Sequence, residues 1–335
     1  MKRISAALSL VIAAALGTAA CSGDDGPKVV VYNAQHVQLL EEIAPKFEEA
    51  TGIKVELRNG SDSEMAAQLI QEGDASPADV FLTENSPAMA AVERAGLLAP
   101  LDAAATDPIP AQYRPESGLW TGFVSRSTVL VYNPDLVAED ELPASLMELA
   151  EPEWAGKVSF SPTGADFQAI VAAVLDLEGE DAARAWLEGL KANGTVYDGN
   201  NVVLEAVNSG EIATGIEYHY YWYRDQAESG ENSDDSTLHF FGNQDPGAFI
   251  SVSGAAVLDS AENADGAQEF VAYLTSEEGQ QALADSYALE YPLNPAVSLA
   301  PPVKPFADLE PPAVAISDLD GDKVVELLSD AGFVL

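Results

Sequence analysis

The N-terminal part of the chain alternates between short apolar runs and helical patterns, and this alternation restricts the possible folds more than any other feature. The apolar runs have the length and composition of buried strands, which are predicted at Val29–Asn33, Ile53–Leu57 and Ala78–Leu82. Amphipathic spacing predicts helices between them, at Val37–Thr51 and Glu64–Gly73. A strand–helix–strand repeat of this kind predicts an α/β fold with an open, mostly parallel sheet flanked by helices.

A second α/β unit follows a long predicted strand at Gly122–Asn133. The chain is therefore expected to form one lobe, cross to a second lobe and return, so that crossing strands make a hinge. We predict a first lobe from residues 28–127 plus 251–301 and a second lobe from residues 128–250 plus 302–335. The elements predicted after the crossing are strands at Lys157–Phe160, Thr214–Glu217 and Phe249–Leu258, and helices at Phe167–Glu178, Val202–Ser209, Ala264–Thr275, Ser276–Asp285 and Val324–Gly332.

The start of the chain has the pattern of an export signal. Two basic residues precede the apolar run Ala6–Leu16, which is too short for a convincing membrane span, and small residues followed by Cys21 resemble a bacterial lipobox. We predict a lipoprotein signal peptide over residues 1–20, lipidation of Cys21 and a flexible tether over residues 21–27. The alternative is an ordinary secretory signal that is cut nearby, with Cys21 incidental.

Charge and cysteine content exclude some classes of partner and site. Acidic residues outnumber basic residues by 55 to 15, which gives a net charge of −40. The acidic residues are dispersed, which indicates the solvated surface of a folded protein. Nucleic acid is not expected as a partner, because phosphate backbones require basic patches. The single cysteine rules out a disulfide within the chain and a cysteine-based metal site.

Four side chains carry the strongest chemical signal. His36 and Glu84 follow the first and third predicted strands, and Tyr220 and Tyr221 follow a strand of the second lobe. Ligands of open α/β sheets bind beyond the carboxyl ends of the strands, where all four residues lie. Tyrosine has an ordinary pKa of about 10. It is a ligand for strong Lewis acids that displace its proton, so this donor set favours ferric ion. Ferrous and manganese ions are not excluded.

At this point the motifs resemble those of a known family, the ferric-ion-binding proteins of bacterial ABC importers, a branch of the two-lobed type II periplasmic binding proteins. The resemblance covers nearly the whole chain after the tether. Its landmarks are Val31–His36, Asp79–Glu84, Trp120–Phe123, Arg126, Tyr132–Asn133, Pro162–Ala165, Asn200–Val202, Glu205–Ile212 and Tyr220–Arg224.

The resemblance implies a ligand set and an anion site. His36 and Glu84 would bind Fe(III) from the first lobe, and Tyr220 and Tyr221 would bind it from the second lobe. Relatives often complete the coordination with a synergistic anion such as carbonate or phosphate. The positions that correspond to anion contacts, or are candidates for them, are Thr163, Gly164, Ala165, Asn200 and Arg126.

One residue departs from the family pattern. Tyr218 stands where anion-dependent relatives have a second asparagine. A third phenolate from Tyr218 would lessen the need for an anion, so Tyr218 is a further candidate ligand.

The resemblance also implies a function, namely an extracytoplasmic lipoprotein that captures Fe(III), as the free ion or a small chelate, and delivers it to an ABC permease. We expect a monomer at the outer face of the cytoplasmic membrane, attached through its lipid only, and no enzymatic activity.

Three other interpretations stay open. The same fold could carry an oxyanion, a polyamine or a small organic solute, which would leave the paired tyrosines without a role. A mononuclear iron enzyme would use two histidines and a carboxylate, and it fits a chain with three histidines poorly. A surface adhesion or sensor role is the third interpretation.

Overall fold

The computed structural model describes residues 26–334, so the predicted signal peptide and Cys21 lie outside the described residues. Within that range the strands are β1 Lys28–Asn33, β2 Lys54–Asn59, β3 Val80–Leu82, β4 Leu98–Ala99, β5 Trp120–Tyr132, β6 Val158–Phe160, β7 Thr195–Val196, β8 Thr214–Tyr218, β9 Thr237–His239, β10 Ile250–Leu258 and β11 Tyr291–Pro292. The helices are α1 Val37–Thr51, α2 Asp62–Glu72, α3 Ser86–Arg94, α4 Ala103–Thr106, α5 Ala165–Glu178, α6 Glu180–Asn193, α7 Asn200–Asn208, α8 His219–Glu228, α9 Ala264–Thr275, α10 Glu277–Ala284 and α11 Gly321–Asp330.

The strands form one path with the order β2-β1-β3-β10-β5-β8-β6-β7, and β4, β9 and β11 attach to its strands β10 and β5. Strands β1, β2 and β3 are parallel to one another, as are β6, β7 and β8. The central strands β10 and β5 run antiparallel to their neighbours. The path therefore contains two parallel α/β units joined by long antiparallel strands.

Strand β5 belongs to both lobes. Its pairing with β10 extends to Ser127, and its pairing with β8 begins at Thr128. The N–H of Thr128 donates to the carbonyl of Phe249, just before β10, over 3.0 Å. We call the part of the sheet on the β10 side the first lobe and the part on the β8 side the second lobe. The change of partner inside one continuous strand makes this the crossing point of the chain.

His219 supports the crossing point. Its Nδ1 accepts the N–H of Ser127 over 3.2 Å, and its Nε2 lies 3.1 Å from the carbonyl oxygen of Leu289. The ring stacks on Tyr291 at 4.4 Å, and burial lowers the pKa of His219 to about 3. His219 is therefore a neutral packing residue at the hinge.

Each face of the sheet is covered by helices with an apolar stripe. Helix α1 buries Leu39, Leu40, Ile43 and Phe47 against the first-lobe sheet, the spacing that predicted this helix. It ends at Gly52, whose φ of 76° is accessible mainly to glycine. Because α1 is fixed in this way, His36, the residue just before it, is held near the end of β1.

The C-terminal segment packs against both lobes. Val303, Leu309 and Ile316 join an apolar cluster that is built mostly from the first lobe. Val324 and Leu327 of α11 join the second-lobe cluster. The segment after residue 302, which the sequence suggested for the second lobe, thus contacts the two lobes in turn.

Most long elements lie within a few residues of their predicted bounds, but α3, α6 and α8 were not predicted. The sequence pattern predicts Tyr220 and Tyr221 at the end of a strand, whereas both lie in the first turn of α8, directly after β8. None of the helices between residues 26 and 334 combines the length and apolarity that crossing a membrane requires.

Candidate metal centre

Two first-lobe donors are brought together by neighbouring parallel strands. His36 lies between β1 and α1, and Glu84 lies between β3 and α3. Because β1 and β3 pair in parallel, their carboxyl ends meet at one edge of the sheet. Nδ1 of His36 is consequently 3.5 Å from Oε1 of Glu84.

The two tyrosines approach from the second lobe. The Tyr220 side chain is fully buried, and its ring centroid lies 4.2 Å from that of Tyr221. The Tyr220 hydroxyl donates to Oε1 of Glu84 over 3.5 Å, and its ring centroid is 5.2 Å from that of His36. The cleft is therefore closed, and the four predicted donors adjoin one another.

Asp166 is a fifth candidate donor, offers carboxylate oxygens, and is not among the ligands predicted from the sequence. The Tyr221 hydroxyl donates to its Oδ2 over 2.9 Å and that of Tyr220 over 3.4 Å. Asn200 donates to the same oxygen over 2.9 Å, while Asn85 donates to Oδ1 over 3.3 Å. Asp166 is only 5% exposed. The available signal in the sequence was the acidic side chain of Asp166, directly after the positions predicted to bind an anion.

The donor set depends on its tyrosines. In the described part of the chain, no group of three or more His, Cys, Asp and Glu side chains is arranged to hold a metal ion. With the two phenols, His36, Glu84 and Asp166 form a continuous chain of contacts of 3.5 Å or less. Such a set has the hard oxygen and imidazole donors that suit a strongly acidic cation.

Burial favours the protonated forms of the two carboxyl groups and the two phenols. It raises the pKa of Glu84 and of Asp166 to about 7 in each case, although the charge of Arg126 opposes the rise. Burial, assisted by the charge of Asp166, also raises the pKa of Tyr220 and Tyr221 well above the usual value for tyrosine. A cation that binds here must therefore displace protons, which favours a highly charged ion.

Arg126 is a fully buried cation beneath the donors. One of its terminal nitrogens donates to the carbonyl of Glu84. The other donates to Ser253 Oγ over 2.8 Å and lies 2.8 Å from Oε2 of Glu290. Its guanidinium thus holds first-lobe groups in place, and the predicted contact with an anion stays a prediction.

Glu290 is another residue of the site that is not predicted from the sequence. It is fully buried, and its Oε1 lies 3.8 Å from Nε2 of His36. Carboxylates beside the second nitrogen of a metal-binding histidine commonly orient the imidazole ring. Glu290 therefore lies between the guanidinium of Arg126 and the imidazole of His36, and at 3.8 Å it does not hydrogen-bond the ring.

The residues predicted for an anion site surround Asp166. Asn200 begins α7 and contacts Asp166, as described above. The Tyr218 hydroxyl donates to the Asp166 carbonyl over 3.2 Å. Thr163 is exposed, Gly164 precedes α5, and Ala165 is its first residue. Their roles toward an anion, and that of Tyr218 toward a metal, stay predictions.

Arg224 contacts aromatic rings from both lobes. Its guanidinium carbon lies 5.6 Å from the ring centroid of Tyr220 and 4.5 Å from that of Tyr287. The Tyr287 hydroxyl donates over 3.1 Å to Gln38, two residues after His36. Cation–π contacts of this kind stabilise the approach of the two lobes.

Comparison with known proteins defines the class. A family model described as bacterial extracellular solute-binding protein matches residues 33–281. The Fe(3+)-binding periplasmic protein of Serratia marcescens is 49% identical over 320 residues, which are 96% of this chain and 94% of the relative. The major ferric iron-binding protein of Neisseria meningitidis is 41% identical over 271 residues, which are 80% of this chain and 82% of the relative. Iron-bound HitA from Pseudomonas aeruginosa matches with a TM-score of 0.86 and 42% identity, covering 92% of this chain and 100% of that one.

The chain belongs to the bacterial extracellular solute-binding protein family. The resemblance to ferric-ion-binding proteins and the predicted two-lobed type II fold are both confirmed. Its relatives are named as binding proteins rather than enzymes, which confirms that the chain is not an enzyme and removes the mononuclear iron enzyme from the alternatives.

The raised carboxyl pKa values predict an unusual dependence of stability on pH. Glu84 and Asp166 titrate near pH 7 in the folded protein and near pH 4 when unfolded. The folded state therefore holds more protons between these values, and the free energy of unfolding without metal should fall as the pH rises from about 4 to about 8.

The Asp166→Asn variant should show a smaller fall, because one of the buried carboxyl groups with a raised pKa is gone. Urea denaturation at a series of pH values measures the effect, and the difference between variant and wild type cancels the general effect of the acidic surface. An identical pH profile for the two proteins would contradict the assignment.

Proposed function

We propose that this protein captures Fe(III) between its lobes and delivers it to an ABC permease for import. The observation that carries the proposal is the convergence of His36, Glu84, Asp166, Tyr220 and Tyr221 across the closed cleft. The named relatives, which are described as ferric-ion-binding or iron-bound, support the same cargo.

Charge favours a trivalent ion. Two carboxylates and two phenolates would carry four negative charges, so Fe(III) leaves one net negative charge and a divalent ion leaves two. Arg126 and Glu290 cancel each other as a buried pair. Because uncompensated charge is costly away from water, a divalent ion would retain protons on the phenols and lose those ligands.

Asp166 takes the place of a synergistic anion in this proposal. It is a carboxylate at the start of α5, beside Asn200 and beside the turn at residues 163–165 where an anion was expected. The Tyr218 hydroxyl is already engaged by the Asp166 backbone, so a third phenolate is not required. A bound carbonate or phosphate is needed only when Asp166 is removed.

Capture and release follow from ligands divided between lobes. Closing brings Tyr220, Tyr221 and Asp166 to His36 and Glu84, so Fe(III) favours the closed form, and opening separates the three second-lobe ligands from the two first-lobe ligands. The lobes that move would be residues 28–127 plus 251–301 and residues 128–250 plus 302–335, with the hinge where β5 changes partner. A monomer suffices, because one chain supplies every donor.

Attachment to the membrane completes the proposal. Residues 1–20 would direct export and be removed, and a lipid on Cys21 would anchor the chain through residues 21–27 at the outer face of the cytoplasmic membrane. Tethering raises the effective concentration of the binding protein near its permease. The lipid is the only part of the protein that would enter the bilayer.

Ferric titration tests the cargo. Adding ferric citrate to the protein without its lipid should produce a visible phenolate-to-iron charge-transfer band that saturates at one equivalent, and the radius of gyration measured by X-ray scattering should decrease on loading. The Tyr220→Phe/Tyr221→Phe variant should give no band, whereas Tyr113→Phe, which changes a first-lobe core tyrosine, should leave the band intact. Absence of the band in folded wild-type protein would refute the ferric site.

Removing the Asp166 side chain tests whether its carboxylate replaces an external anion. Asp166→Ala should bind Fe(III) at least about 100-fold more weakly in an anion-poor buffer, because a direct donor is lost and the loss of a mere supporting group already costs about 10- to 100-fold. Added carbonate or phosphate should restore affinity in the variant and have little effect on wild type. Wild-type binding that itself requires the added anion would overturn this role.

Lipidation of Cys21 is tested in cells. With its native leader, the wild-type protein should take up a labelled palmitate analogue and fractionate with membranes, while Cys21→Ser should do neither. The single cysteine makes the labelling site unambiguous. An unlabelled wild-type protein in the soluble extracytoplasmic fraction would refute the anchor without affecting the iron site.

A further inference from the structure

Asp62 holds two backbone amides that belong to another segment of the first lobe. It is the first residue of α2 and is 7% exposed. One carboxyl oxygen accepts the N–H of Glu84 over 2.9 Å, and the other accepts the N–H of Asn85 over 2.9 Å. Both oxygens are therefore used on the short loop between β3 and α3.

That loop carries the first-lobe carboxylate of the metal centre. The carbonyl of Glu84 accepts hydrogen bonds from Arg126 and, over 2.9 Å, from Ser253 Oγ. Asp62 supplies the complementary contact on the N–H side. With its backbone held at both ends, Glu84 is left to present its side chain toward His36 and Tyr220.

We propose that Asp62 is a positioning residue that fixes the Glu84 carboxylate for binding of the cargo ion. The inference rests on the ferric function proposed above and extends it to a residue that is not itself a ligand. A carboxylate suits this position because it offers two acceptors to two consecutive amides. An asparagine would offer one acceptor and would turn its NH₂ group toward the other N–H.

Asp62 is not needed to begin α2. The Ser61 side chain accepts the N–H of Glu64, and the Glu64 side chain accepts the N–H of Ser61, so the helix already has a complete capping box. Burying a carboxyl group is costly. Its retention at a buried position, directed at the loop that bears Glu84, therefore indicates a role at that loop rather than in the helix.

The experiment is a double-mutant cycle on ferric affinity, measured by competition with nitrilotriacetate and followed by the charge-transfer band. In the otherwise wild-type protein, Asp62→Asn should lower affinity about 10- to 100-fold. In a Glu84→Ala background the same substitution should change affinity by less than about twofold, because the group that it positions is absent. A loss of equal size in both backgrounds would mean that Asp62 acts through charge or through Asn85, and it would overturn the proposal.

Glu64→Gln is the matched control. It alters the same first turn of α2 at an exposed residue that does not contact Glu84, and affinity should stay within about twofold of wild type. A loss comparable to that of Asp62→Asn would show that helix stability, rather than the Glu84 loop, sets affinity, and would refute the proposal.

Asp62→Glu keeps the test decisive if Asp62→Asn does not fold. Asp62 is one of the residues that line a cavity of about 410 Å³ between the lobes. The longer side chain displaces both acceptors, so affinity should fall, and the fall should again disappear in the Glu84→Ala background.

Failure of the inference is distinct from failure of the ferric function. If wild-type protein gives no charge-transfer band, the proposed function is wrong. If wild-type protein binds Fe(III) and Asp62→Asn and Asp62→Glu bind it equally well, only the role of Asp62 is wrong.

Discussion

The metal centre depends on the burial of several acidic donors at one point between the lobes. Glu84, Asp166 and two tyrosine hydroxyls meet between the closed lobes, where burial disfavours their charged forms. A bound cation would displace their protons and leave a strong anionic ligand set. Arg126, the buried cation beside this cluster, is paired with Glu290, and it offsets only part of the negative charge that the four groups would carry once ionised.

The hinge lies beside this cluster for a structural reason. Strand β5 changes partner at Ser127 and Thr128, within two residues of Arg126. The same strand therefore carries the crossing between lobes and the cation that holds the Glu84 carbonyl. Motion at the crossing would change the distance between the two half-sites, which is the quantity that capture and release require.

Predictability of the site depended on where each residue stands in the chain. His36 and Glu84 follow recognisable strands, and strand ends converge in an open α/β sheet, so their proximity was predictable. Tyr220 and Tyr221 form a conspicuous pair. Asp166 ends a turn that the sequence predicts to bind an external anion, and nothing in its spacing indicates that its carboxylate contacts both tyrosines.

The sequence by itself determined the alternation of strands and helices, the two lobes and the side-chain chemistry of four donors, because these depend on local apolar periodicity and on residue type. Only the tertiary structure decided the contacts of Arg126, Glu290 and Asp62, which pair with groups far away in the chain. Such contacts arise from packing between distant segments. No local sequence pattern predicts them, because an acidic residue in the first turn of a helix has the same spacing whether or not it binds a distant backbone amide.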